Sequence, residues 1–379
     1  MNFELTDQQK MIRDTVREFA RKKVAPVAAE LDRTERFPTE IIEELGKMGM
    51  MGIMIPKEYG GAGLDAVSYS LIIEELSKAC SSTGALTSVH NSFAPYILYN
   101  WGTEEQRKEF LPPLAKGEVY GAFAATEPNA GSDLGAMQTT AVLEGDSYII
   151  NGTKTFISGG PKAGTIIVFA LTDKDAGPRG ISAFVVKNDY KGYKVGPIFE
   201  KMGIRASETS ELIFEDMVVP KKNLIGKTGE GFKIALASID GGRIGIAAQA
   251  VGIAQRALDE AVKRSKERVQ FGKPISNLQA IQWMLADMAT RVEASRLLTW
   301  QAAFLKDSGA RFGKEAAMAK LMASETAVFC TNNALQIHGG YGYMREYDIE
   351  RLYRDAKITQ IYEGTSEVQK LVISSNILR

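Results

Sequence analysis

The stretch that most restricts the fold lies in the middle of the chain, between residues 118 and 226. Ser147-Tyr-Ile-Ile, Thr165-Ile-Ile-Val-Phe-Ala, Ile181-Ser-Ala-Phe-Val-Val and Glu211-Leu-Ile-Phe-Glu are short, β-branched or aromatic, and bounded by Gly, Asp, Asn or Pro, as strands closed by turns are. No helical pattern of convincing length separates them, so they are not wired as βαβ units, and an antiparallel barrel or sandwich is expected. Helical patterns flank this block. Thr6 with Gln9 reads as a capping box opening a helix whose Ile12, Val16, Phe19 and Ala20 share one face. Residues 67–79 carry Leu71, Ile72, Glu74, Glu75 and Leu76, a mixture that predicts a half-exposed helix, and Leu111-Pro112-Pro113 with Gly117 predicts a linker where the helical pattern stops. After the strands, residues 231–267 and 277–306 are long, Ala- and Leu-rich and nearly free of breakers, which predicts a bundle with apolar faces to spare for subunit contacts. The fold expected is α+β and multidomain: an N-terminal helical domain (1–117), a central antiparallel β-barrel or sandwich (118–226) and a C-terminal four-helix-bundle-like domain (227–379).

Totals narrow the function. A chain of 379 residues is too long for a single core. Lys plus Arg and Asp plus Glu both number 46, so the positive excess usual in nucleic-acid binders is missing, and low self-repulsion permits a tightly packed oligomer. Cys80 and Cys330 have neither a C-x-x-C neighbour nor a ligand-spaced histidine; buried thiols in a reducing compartment, and no metal, are expected. The start, Met1-Asn-Phe-Glu-Leu-Thr-Asp-Gln-Gln, lacks the basic-then-apolar order of a secretory leader, and no stretch approaches the roughly 18 apolar residues of a membrane span. A cytoplasmic protein is expected.

Several loops could carry chemistry. Gly61-Ala-Gly63-Leu-Asp-Ala66 matches a dinucleotide fingerprint in letters only; no βαβ unit surrounds it, and a glycine-rich loop between helices is the better reading. Thr126-Glu-Pro-Asn-Ala-Gly-Ser-Asp133 is equally readable as a turn or as a loop whose N–H groups and hydroxyls bind a planar polar ring or phosphate. Phe156-Ile-Ser158 before Gly159-Gly160 is by itself an ordinary strand end. Gln336-Ile-His-Gly-Gly-Tyr-Gly342 breaks a helix and permits close backbone approach to a ligand, while His338 and His90 read as structural. In Ile361-Tyr-Glu-Gly-Thr-Ser-Glu367, Thr365 reads as the N-cap of a last helix over 367–378. Glu363 alone reads first as an acid favoured by that helix's dipole.

Together, Ala125-Thr-Glu-Pro-Asn-Ala-Gly-Ser-Asp133, Arg268-Val-Gln-Phe-Gly-Lys273, Gln336-Ile-His-Gly-Gly-Tyr-Gly342 and Tyr362-Glu-Gly-Thr-Ser366 resemble the acyl-CoA dehydrogenase family, in the right order over essentially the whole chain, and bacterial short-chain, butyryl-CoA-type members most. The resemblance implies FAD between the sheet and the C-terminal bundle, with Phe123, Ala125, Thr126, Gly131, Ser132, Phe156, Ile157 and Ser158 at or near the flavin. Ser158 keeps a hydroxyl near flavin N5, and Phe156 stands where the family often has Trp. Arg268, Phe271 and Gln279, with Gln336, Gly339 and Gly340, would reach FAD across subunit boundaries, which implies a homotetramer built as a dimer of dimers; Thr365 and Glu367 complete the implied cofactor set.

The implied reaction is α,β-dehydrogenation of a short acyl-CoA, butyryl to crotonyl in type. Glu363, on the catalytic loop of the C-terminal domain, would abstract the α-proton, while its backbone N–H and a flavin ribityl hydroxyl stabilise the enolate. The β-hydride would pass to flavin N5 and the electrons to an electron-transferring flavoprotein. Ser132, Asp240, Arg243, Tyr362 and Gly364 match substrate-region positions. Leu86, Val89, Phe93, Ile239, Ile244 and Ile246 are candidates for the acyl pocket. Isovaleryl- and long-chain-type relatives carry their base immediately before the arginine matched by Arg243, where this chain has Gly242; glutaryl-type relatives carry an arginine where this chain has Gly84. The competing expectations are an acyl-CoA oxidase or flavin monooxygenase on the same fold, usually a longer chain in the case of the oxidases, and a DNA-associated relative with a basic C-terminal extension.

Overall fold

A computed structural model describes residues 4–378; residues 1–3, part of the start read as leaderless, and Arg379 lie outside the described residues. Helices come first: α1 (Asp7–Phe19), α2 (Ala28–Thr34), α3 (Thr39–Lys47), α4 (Ala66–Ala79), α5 (Ser81–Ser92), α6 (Ala94–Trp101) and α7 (Glu104–Ala115). The expected capping box opens α1: the Gln9 N–H donates to Thr6 Oγ1 (3.2 Å) and the Thr6 N–H to Gln9 Oε1 (3.0 Å). Eight strands follow: β1 (Tyr120–Ala124), β2 (Thr140–Glu144), β3 (Ser147–Ser158), β4 (Ala163–Leu171), β5 (Ile181–Lys187), β6 (Tyr193–Ile198), β7 (Thr209–Pro220) and β8 (Leu224–Ile225). The chain then forms α8 (Gly231–Glu267), a hairpin of β9 (Val269–Gln270) and β10 (Lys273–Pro274), α9 (Gln279–Asp307), α10 (Gly313–His338), α11 (Asp348–Ile358) and α12 (Ser366–Ile377).

Three expectations need correction. The central strands form one open sheet in the order β6-β7-β3-β2-β4-β5-β8, not a closed barrel, and although most pairs are antiparallel, β1 runs parallel to β4. The helix α4 is buried rather than half-exposed. Its two acids do not need water, because Arg296 of α9 reaches Glu74 at 2.9 Å and Arg17 of α1 reaches Glu75 at 2.6 Å. Nor do Pro112 and Pro113 form a linker; both sit inside α7. A proline lacks a donor but keeps its acceptor, and these carbonyls still take the N–H groups of Lys116 and Val119 (both 3.1 Å), closing the helix one turn later.

The helix α4 packs against α1, α5, α8 and α9, joining the N-terminal helices to the C-terminal bundle. Asp307, at the end of α9, accepts the Ala66 N–H at the start of α4 (2.8 Å). On one side of the sheet Ile167 and Phe169 of β4 and Ala183 and Val185 of β5 are buried with α6 and α7, in the same cluster as Ala125 after β1 and Ile234 and Ala235 at the start of α8.

Candidate active site

Glu363 lies in the turn between α11 and α12, at φ +52, a left-handed conformation uncommon for a residue with a Cβ and one that costs about 1–3 kcal/mol. Four side chains hold the turn there. Lys320, fully buried on α10, donates Nζ to the Gly364 carbonyl (2.6 Å). Gln369, on α12, donates to the same carbonyl (2.8 Å) and to that of Glu363 (3.2 Å). The Tyr362 hydroxyl donates to Gln249 of α8, and Thr365 caps α12 by accepting the Val368 N–H at 3.3 Å, as its sequence predicts. The dipole reading of Glu363 fails on geometry, because the residue precedes the cap and turns inward.

Both oxygens of the Glu363 carboxylate are buried without a hydrogen-bond partner. Its backbone N–H also has none among the described residues. The carboxylate occupies the space a side chain at 242 would need: a Cβ on Gly242 would stand 2.1 Å from Glu363 Oε2 and 3.3 Å from Phe93 Cζ. A side chain at 242 and the Glu363 carboxylate in its present rotamer therefore compete for the same space. Burial pushes the Glu363 carboxyl up to about 8, against the opposing pull of Lys320 and Arg243. Arg243, on the next residue of α8, is nearly buried, paired to Asp240 and with its Nε unpartnered.

From Phe93 an aromatic path leads to the sheet. Its ring stacks on Phe123 of β1 at 4.2 Å. The loop after β1 meets the end of β3 where the Thr155 N–H donates to the Thr126 carbonyl (2.9 Å). At that end a bulge turns Phe156 outward at φ +58 with 63 % of its surface exposed. The loop is fixed from behind by Glu127, which accepts from Lys154 Nζ (2.8 Å) and from the Gln138 and Thr139 N–H groups (2.6 and 2.9 Å).

Family models for the N-terminal, middle and C-terminal domains of acyl-CoA dehydrogenase match residues 6–118, 122–217 and 229–378. The short-chain specific acyl-CoA dehydrogenase of Clostridium acetobutylicum is 54% identical, with both chains covered completely. The structure of butyryl-CoA dehydrogenase from Megasphaera elsdenii superposes with a TM-score of 0.99 at 46% identity, again over all of both chains. A chain in the structure of the electron transferring flavoprotein of Acidaminococcus fermentans, which concerns flavin-based electron bifurcation, gives 0.99 at 53% identity with the same coverage.

The chain belongs to the acyl-CoA dehydrogenase family.

The residues expected from the family resemblance fall into two groups. Phe123, Ala125, Thr126, Phe156, Ile157 and Ser158 gather where β1 and β3 end, with Gly131 and Ser132 on the exposed loop beyond; Ala125 and Ile157 turn their side chains into the core and offer only backbone. Phe93 links this group to Glu363, Tyr362, Gly364, Thr365, Asp240 and Arg243. Arg268, Gly339 and Gly340 instead line an open cleft of about 520 Å³ with Tyr341 and Met344. Gln336 and Gln279 are exposed on α10 and α9, and Phe271 projects from the β9–β10 hairpin, 89 % exposed. Arg243 and Arg268 are separated by roughly 37 Å along α8, so one chain does not bring the second group to Glu363.

These residues fit an acyl-CoA dehydrogenase flavin. Hydroxyls, backbone and an outward aromatic at the β1–β3 edge suit a planar polar ring. A Cβ on Gly131, Gly339 or Gly340 would meet nothing within 4 Å, so these glycines leave room for something outside the chain's own packing. Among the described residues no His, Cys, Asp and Glu cluster could hold a metal, and no helix is long and apolar enough to cross a membrane. Both histidines are tied to backbone, His90 between the Leu114 carbonyl and the Gly121 N–H, and His338 at the Ala334 carbonyl.

Sequence reasoning passed over Lys154, Glu127, Lys320 and Gln369. For Lys320 a signal existed: it lies in the row Ala316, Ala319, Ala323, Ala327, the small-residue face that α10 buries, where a charge is out of place.

Proposed function

We propose that this protein oxidises short-chain acyl-CoA thioesters at the α,β bond, with Glu363 as the base. It is an FAD-dependent acyl-CoA dehydrogenase. The single observation that carries the role of Glu363 is its carboxylate: buried, unpartnered, lodged against Gly242, and held near about 8 by burial. A carboxylate of ordinary acidity is too weak a base for a thioester α-proton, whereas one whose affinity for a proton lies near neutral pH is matched to the task. The free Glu363 N–H offers a donor for the developing enolate oxygen, beside the carboxylate that takes the proton. Bound FAD supplies the two-electron acceptor for the β-hydrogen. The edge formed by Thr126, Phe156 and Ser158, one aromatic stack away from Phe93, would hold the flavin ring. Asp240 and Arg243 would orient the thioester end.

Gly242 leaves Glu363 without a rival base. Gly84 disfavours a dicarboxylic substrate, since a Cβ there would lie 1.9 Å from Ser77 Oγ and 3.0 Å from Ser77 Cα, leaving no room for a distal-carboxylate arginine.

The working form is a homotetramer. Arg268, Phe271, Gln279, Gln336, Gly339 and Gly340 would complete the cofactor site of a neighbouring copy, and exposed Trp283 and Phe304 on α9 and Leu371 on α12 supply apolar surface for it. Electrons would leave to an electron-transferring flavoprotein, the protein named in the Acidaminococcus structure. Arg268→Ala should then lower both FAD content and oligomer size in ultracentrifugation; a monomer holding FAD tightly contradicts a shared site.

The deciding experiment is Glu363→Gln assayed with butyryl-CoA and a dye acceptor. FAD should be retained and turnover should fall by at least about 10²–10⁴-fold. Near-normal turnover would overturn the assignment.

A further inference from the structure

We propose that Lys320 is a positioning residue for Glu363: from inside α10 its ammonium clamps the Gly364 carbonyl and supplies the uncompensated positive charge that lets a buried glutamate ionise. This rests on Glu363 being the base. Lys320 is fully buried, and its Nζ makes one hydrogen bond, to the Gly364 carbonyl at 2.6 Å. Burying an ammonium without a carboxylate bonded to it is costly, and burial draws Lys320 down to about 8. A grip on the carbonyl does not explain that cost. Gln369, a neutral donor, already holds the same oxygen at 2.8 Å. What Lys320 adds is charge.

The other groups facing Glu363 are already committed. Arg243 of α8 is paired to Asp240. Tyr69 of α4 shares its hydroxyl with Ser88 and Ser92 (2.9 and 2.7 Å). Tyr362 is bonded to Gln249. Glu325 of α10, near Lys320, accepts from Ser366 (3.1 Å), and Glu367 of α12 is exposed. Lys320 is thus the cation whose charge Glu363 feels with least cancellation.

The test uses the tetrameric flavoprotein without substrate. The protonation midpoint of Glu363 is followed by its carboxyl infrared band, with Glu363→Gln as the blank, and compared with the acid limb of the kcat/KM profile, which reports the free enzyme. Lys320→Gln and Lys320→Met should raise the midpoint by about one unit or more and move the acid limb with it. Lys320→Arg should restore the midpoint while kcat stays reduced, because the longer guanidinium misplaces the turn. An unchanged midpoint in either neutral variant overturns the proposal, as does a pair of neutral variants that fail to fold while Lys320→Arg folds, since the charge would then serve stability. If Glu363→Gln stays active, the base assignment fails, whatever Lys320 does.

Discussion

Two buried glutamates in this chain have met opposite fates. Glu127, behind the loop after β1, is bonded by Lys154 and by two backbone N–H groups; burial alone would raise its carboxyl, but these partners outweigh it and hold the group below its ordinary value. Glu363, in the turn before α12, also has both carboxylate oxygens hidden from water, yet neither has a partner, and its carboxyl rises to about 8. Burial is common to both, so the difference lies in whether the surrounding backbone and side chains complete the shell. The sheet completes it and obtains a rigid loop. The helices leave it open, and the carboxyl keeps a raised affinity for its proton.

The sharpest way to break this contrast is to strip Glu127 of its cation. Lys154→Met should cost about 3–5 kcal/mol, the penalty for leaving one partner of a buried pair alone, and should appear as a large fall in Tm with loss of FAD. A variant that melts like the parent would show that the sheet-side pair does not hold the loop.

The opposite effect is expected at Glu363. Its native pKa, about 8, lies above its ordinary value, so between those two pH values the folded protein holds a proton that the unfolded chain gives up. Stability from this group is therefore complete at acid pH and is lost as pH rises through about 8. Glu363→Gln, which has no charge to bury, should melt above the parent at about pH 8, by at least about 1 kcal/mol, and the gap should close toward pH 4.5. A gap independent of pH would mean that the carboxylate is not held as described.

The smallest effect should come from the frame around Glu363. Thr365→Ala removes the cap of α12 at a cost of about 1 kcal/mol. Because Lys320 and Gln369 still grip the turn, kcat should fall by less than in Glu363→Gln. A loss as deep as that of Glu363→Gln would move the control of the loop from those two side chains to the cap.

Much of the fold is written locally. The long run over 231–267, nearly free of breakers, coincides with α8, the Thr6–Gln9 box opens α1, and Thr365 caps α12, because periodicity and capping depend on neighbours within a few residues. The same holds for the four motifs that mark the family. Tertiary structure alone decided what those motifs mean physically. Glu74 and Glu75 became core residues because arginines from α9 and α1 arrive from far along the chain. Gly242 became the floor beneath a carboxylate more than a hundred residues away, and Lys320, one lysine among many in the sequence, became the cation beside it. Desolvation and pairing belong to a place in the folded chain: the proton affinity of a glutamate is set by what packs against it, and no spacing of letters records that.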